Sequence, residues 1–154
     1  MALFVDLVAL SNGLHGSVQM DLVALFSWIG WLRYRGILSQ CTWFAWGRFY
    51  ELYGYDPGFT GNGWDCVDEL LQAHPDKFER STTPPKAGAV FSGIGKNHVG
   101  IVLKVDGNNI TIQDGNYDGI TNTFEDAKND WQTNTYTLDY YRSRMGGIVF
   151  ANPK

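Results

Sequence analysis

Cys41 stands at the head of a helical pattern and His98 at the head of a strand pattern, and this pairing constrains the chain more than any bulk property. Residues 41 to 53 carry Trp43, Phe44, Trp46, Phe49, Tyr50, Leu52 and Tyr53 at close to helical spacing, with Gly54 as a stop signal. Asn97 to Val105 reads as an apolar strand ending at the hairpin signal Asp106-Gly107-Asn108-Asn109. Asn109 to Gln113 then alternates as a half-buried strand does. Such a hairpin returns Asp114-Gly115-Asn116 to the end from which His98 departs. The register is loose, because His98 lies eight residues before Asp106 and Asp114 five after Asn109.

Position sets the chemistry. A cysteine in the first helical turn meets unpaired backbone N–H groups and the positive end of the helix dipole, both of which favour a thiolate. The thiolate is the nucleophilic form, and an imidazole within reach completes its activation. Asp114 and Asn116 supply a carboxylate and an amide able to orient that imidazole. The Cys41 backbone N–H at the helix start, with the Gln40 side chain as a second candidate, would stabilise an oxyanion. These are the parts of a cysteine hydrolase of papain-like logic. The plainer alternatives are a packed free cysteine for Cys41 and a strand-edge surface histidine for His98.

Gln40-Cys41-Thr42-Trp43, with Arg48 after it, resembles the nucleophile motif of CHAP domains, the cysteine, histidine-dependent amidohydrolases/peptidases. The resemblance continues through Gly61-Asn62-Gly63-Trp64, Pro85-Lys86-Ala87-Gly88-Ala89-Val90-Phe91, His98-Val99-Gly100-Ile101-Val102 and Asp114-Gly115-Asn116, and covers about residues 36 to 153. It implies a papain-like α+β fold and bacterial peptidoglycan as substrate. It places the nucleophile at Cys41, the base at His98, and the orienting acid and amide at Asp114 and Asn116. The acid position holds Asp114 where relatives often carry glutamate. Some members have a carboxylate-rich calcium loop before the nucleophile, whereas Trp31 to Leu38 contains no carboxylate.

A second metal reading centres on Asp114 to Glu125, which matches the twelve-residue calcium-loop pattern with acids at its first, fifth and last positions and Gly119 at the sixth. The segment before it reads as strand rather than helix, and Thr121 stands where an apolar residue is usual. Asp114 and Asn116 cannot readily ligate an ion and also orient His98, so the catalytic reading is preferred and no metal or cofactor is expected. Gly93-Ile94-Gly95-Lys96 lacks the Ser or Thr of a phosphate loop and reads as a turn delivering His98. Cys66, flanked by Asp65, Asp68 and Glu69, reads as a packed helix residue rather than a nucleophile. A Cys41–Cys66 disulfide is open to a chain with two cysteines but would silence the nucleophile. His15 and His74 are expected at the surface.

With 154 residues, 44% of them hydrophobic and 15% aromatic, the chain can bury one substantial core. A net charge of −4 gives no basic footprint for nucleic acid. Trp43, Trp46, Trp64, Tyr117 and Trp131 are candidates to line a substrate groove, with Trp64 and Tyr117 preferred; large aromatics more often fill cores. Residues 1 to 35 read as an N-terminal helical extension, with Met20 to Leu32 as a helix, and residues 36 to 154 as the catalytic domain. The uncharged run from Leu22 to Leu32 is too short for a bilayer span. Asp6 and the lack of a basic start argue against a signal peptide. Ser81 to Pro85 divides a helical front half from a strand-rich back half, with strands expected at 89–91, 98–105, 109–113, 136–141 and 147–150.

The expectation is therefore an α+β fold in which N-terminal helices pack on a small antiparallel sheet. Its function would be hydrolysis of a peptidoglycan amide bond, as a muramoyl–alanine amidase or a stem or cross-bridge endopeptidase, through a cysteine thioester. The resemblance further implies a phage-encoded lysin acting on the host wall, released by a holin or carried on the virion, with a separate wall-binding or virion protein as a candidate partner. The alternatives are a non-catalytic wall-binding or virion structural module of the same fold, and a cysteine peptidase acting on protein.

Overall fold

The computed structural model describes residues 40–115 and 131–154. The helix expected at 20–32, the extension 1–35, His15, the side chain of Gln40, Asn116, Tyr117 and the rest of the calcium-loop pattern after Gly115 lie outside the described residues. Helix α1 (Gln40–Tyr53) is followed by a 3-10 turn (Gly63–Asp65) and α2 (Cys66–Ala73). Strands β1 (Phe78–Ser81), β2 (Val90–Gly93), β3 (His98–Asp106), β4 (Asn109–Gly115) and β5 (Trp131–Thr137) come next. Helix α3 (Leu138–Met145) and strand β6 (Ile148–Pro153) close the chain. The strands form one six-stranded sheet in the order β1-β6-β2-β3-β4-β5, each pair antiparallel. This is the expected α+β class. No helix among the described residues is long and apolar enough to cross a membrane.

Both faces of the sheet are buried, and alternate residues of each central strand supply two cores, as the strand period of two requires. Val90, Val99, Ile101, Val149 and Ala151 face α1 and α2, where Phe44, Trp46, Phe49 and Leu52 fill the layer. Phe91, Val102, Ile112, Ile148 and Phe150 face α3, which contributes Leu138, Tyr141 and Met145. Phe49 is fully buried and touches the rings of Tyr53, Tyr55, Phe59 and Phe78 at centroid distances of 4.5 to 6.3 Å. It ties α1 to β1 and to the segment after the helix.

Two elements differ from the sequence reading. The strand expected over 136–141 stops at Thr137, and Leu138 to Met145 is helical. Its Tyr and Thr content favours a strand, but the Thr137 side chain accepts the Tyr140 N–H as an N-cap, and Gly146 ends the helix at φ 63°. Leu138, Tyr141 and Met145 then fall on one face and are buried together, so packing overrides propensity. Strand β1 has no sequence signal because its four residues, Phe-Glu-Arg-Ser, carry a single buried apolar side chain; pairing with β6 defines it. Ser81, assigned to the linker, is its last residue.

Phe49→Ala is expected to lower stability by about 3–5 kcal/mol through lost transfer energy and an unfilled cavity. Urea unfolding measures this, and a loss below about 1 kcal/mol would show that the ring cluster is not a keystone.

Candidate active site

The β3–β4 register explains how His98 and Asp114 meet. From the closing pair Asp106–Asn109, regular pairing would set Ile101 opposite Asp114 and turn His98 to the other face of the sheet. One extra residue, Leu103, is inserted between the pairs Val102–Ile112 and Lys104–Thr111. Gly100 therefore lies opposite Asp114, and His98, two residues away, shares the acid's face. The His98 Nε2 and Asp114 Oδ2 atoms are 2.6 Å apart. Both residues are buried, Asp114 being 1% exposed.

Cys41 enters from the opposite layer. His98 pairs with Gly93, the last rung of the β2–β3 ladder, so its side chain reaches around the end of the sheet. There it is hydrogen-bonded to the Cys41 side chain as well as to Asp114. With Nε2 on the carboxylate, Nδ1 is the nitrogen left for sulfur. Cys41 lies in the first turn of α1, and its Sγ is also 3.9 Å from the Asn97 carbonyl. Burial alone would lower the His98 pKa; hydrogen bonds to Asp114 and Cys41 and the charges of both outweigh it and raise it to about 9. The imidazole is thus held as a cation through neutral pH, and a cation beside a thiol at a helix N-terminus favours the thiolate. The stabilisation linked to this shift is fully present below the ordinary value of 6.5 and is lost as pH rises through about 9.

Arg48, noted in the sequence only as part of a motif, acquires a role. It is buried in α1, and its Nε donates to Gln113 Oε1 at 3.0 Å while its Nη1 donates to Glu51 Oε2 at 2.8 Å. Gln113 precedes Asp114 and in turn donates to Thr133 of β5. Arg48 therefore fastens the Cys41 helix to the strand that carries Asp114. The sequence signal for this was a lone arginine within an apolar helix pattern.

The remaining candidates separate. Trp64 is 44% exposed beside His98, its backbone N–H donating to Asn97 Oδ1 at 3.3 Å, whereas Trp46 is buried. Trp43 and Trp131 are half-buried against the core, Trp131 stacking on Phe44. No disulfide joins Cys41 and Cys66, so that alternative is not formed. Burial pushes the Cys66 thiol far up, against any nucleophilic role for it. His74, expected at the surface, is half-buried against the Tyr55 ring, with Nε2 2.7 Å from the Asp56 carbonyl. Of the calcium-loop pattern only Asp114 and Gly115 are described, and Asp114 Oδ2 is engaged by His98.

A family model, the CHAP domain, matches residues 31–116, more than half of the chain. No curated protein matches the sequence. Among solved structures, the crystal structure of Ly7917 with the hydrolyzing product of MDP is 26% identical at a TM-score of 0.41, covering 59% of this chain and 37% of that one. The crystal structure of Ly7917 is 24% identical at the same TM-score, covering 60% and 37%. This chain matches little more than a third of the length of Ly7917.

Asp114→Asn removes the carboxylate that raises the His98 pKa. Its NMR-detected imidazole titration is expected to fall from about 9 toward the ordinary 6.5. An unchanged midpoint would remove Asp114 from the orienting role.

Proposed function

The chain belongs to the CHAP domain family, and on that premise we propose that it is a peptidoglycan hydrolase that cleaves an amide bond through a thioester on Cys41. The observation that carries this reading is the buried His98, hydrogen-bonded at once to the Cys41 thiol and, at 2.6 Å, to Asp114.

The proposed steps use that geometry. The Cys41 thiolate attacks the amide carbonyl carbon, and the carbonyl oxygen becomes an oxyanion. The Cys41 backbone N–H, in the first turn of α1, is the proposed donor to that charge, with Gln40 as the candidate second donor. Collapse breaks the C–N bond as the imidazolium of His98 protonates the departing nitrogen, leaving a thioester and neutral His98. His98 then takes a proton from water, whose oxygen attacks the thioester carbonyl. Breaking the C–S bond releases a carboxylic acid and restores the thiolate–imidazolium pair. Asp114, with Asn116 as the candidate amide, holds the imidazole in line throughout.

Trp64, exposed beside His98, and Tyr117 are the proposed substrate contacts. The same reading carries a phage-encoded lysin acting on the host wall, together with a wall-binding or virion partner, and rests there on the family resemblance.

Mass spectrometry of soluble products from purified peptidoglycan tests the proposal. Wild type should release fragments and Cys41→Ala none. Free stem peptides identify an amidase and shortened or uncrosslinked stems an endopeptidase; release by neither protein on several wall types sinks the reading. Because His98 must carry a proton to the leaving nitrogen, the rate should hold through neutral pH and fall as pH passes about 9. A rate that rises steadily beyond that point would contradict His98 as the acid.

A further inference from the structure

Three buried donors converge on one short segment beside the catalytic histidine. Thr42 Oγ1 donates to the Gly61 carbonyl at 3.0 Å, Cys66 Sγ to the Asn62 carbonyl at 3.2 Å, and Ser92 Oγ to the Gly63 carbonyl at 2.6 Å. Each of the three side chains belongs to a residue with no exposed surface. They come from three elements, the α1 turn next to the nucleophile, the start of α2, and β2 beside the His98 rung. Ser92 Oγ also accepts the Val67 N–H at 3.1 Å, so its hydroxyl is used in both directions.

The segment they hold lies against the histidine's backbone. A Cβ at Gly63 would sit 2.6 Å from the His98 carbonyl carbon and 2.7 Å from its Cα and N, so only glycine permits this approach. The next residue, Trp64, donates its N–H to Asn97 Oδ1, and Asn97 adopts a left-handed φ of 50° immediately before His98. The peptide on the N-terminal side of His98 is thereby braced from outside the sheet, where the β2–β3 ladder has already ended.

We propose that Thr42, Cys66 and Ser92 are positioning residues for His98, clasping the Gly61–Gly63 carbonyls so that Gly63 seats the histidine backbone and holds the imidazole over the Cys41 thiol. The proposal rests on the reading of Cys41 and His98 as nucleophile and base. It gives the second cysteine a function as a hydrogen-bond donor. Burial keeps Cys66 in the protonated form that a donor requires. The Gly63 carbonyl that Ser92 holds is buried, so leaving it without its donor is costly.

Thr42→Val removes the hydroxyl at nearly constant shape, and Thr42→Ser keeps it. Displacement of a catalytic group by about an ångström can cost on the order of 100-fold in rate. Thr42→Val is expected to lower kcat for wall hydrolysis about 10- to 100-fold with KM within about twofold, Thr42→Ser restoring most of it. The NMR titration of His98 should move down from about 9 in Thr42→Val and return in Thr42→Ser. Cys66→Ala against Cys66→Ser repeats the comparison away from α1 and decides the matter should Thr42→Val not fold. Wild-type His98 titration in both Thr42→Val and Cys66→Ala, each folded, would overturn the proposal. The titration needs no substrate, so it stands even if wild type releases nothing from the wall and the proposed function fails.

Discussion

Everything at this site depends on one inserted residue. The hydrogen bond between His98 and Asp114 requires both side chains on the same face of a hairpin whose closing turn would place them on opposite faces. The bulge at Leu103 changes the parity, and the imidazole gains a buried carboxylate partner. A single register step reverses every side chain beyond it, so the alternative is not a weaker site but none. Bulges occur where a strand must re-aim a side chain, and this one lies five residues from the histidine it re-aims.

The rest of the fold serves to hold a helix and a hairpin end against each other. Phe44, Trp46, Phe49 and Leu52 bury α1 on the sheet, each worth roughly 1.5–3 kcal/mol of transfer energy. That apolar layer fixes distance but not rotation. Rotation is fixed by polar contacts of defined direction: Arg48 onto Gln113, and Thr42 onto Gly61. Both are buried among the apolar residues of α1, Arg48 reaching the strand of Asp114 and Thr42 the segment that seats His98. The Cys41 helix and the Asp114 strand are thus joined by a buried hydrogen bond outside the Cys41, His98 and Asp114 trio itself. Such networks are costly when half-satisfied and rigid when complete.

Much of this was legible in the chain, and the reasons for the rest are physical. The α1 pattern, the hairpin at Asp106–Asn109, and the placing of Cys41, His98 and Asp114 at one end of the sheet follow from periodicity and turn chemistry, and the structure has all three. The bulge was not legible, since Leu103 is an ordinary strand residue and only the register shows it to be extra. Residues 136 to 141 read as strand because tyrosine and threonine favour strands, while the Thr137 cap and the spacing of Leu138, Tyr141 and Met145 favour a helix. The glycines near Trp64 carried a family likeness but no mechanism, because a close backbone approach between residues 63 and 98 is a tertiary fact.

In the proposed mechanism Cys41 exists as a thiolate paired with the His98 imidazolium at neutral pH. The most direct measurement is the ultraviolet thiolate absorbance of wild type minus that of Cys41→Ala, followed with pH; the buried Cys66 cancels in the difference. The account predicts a thiolate signal already present near pH 7, well below the ordinary cysteine pKa of about 8.5, and lost at that pH in His98→Ala. A difference that stays at zero until pH climbs past about 8.5, with or without His98, would contradict it.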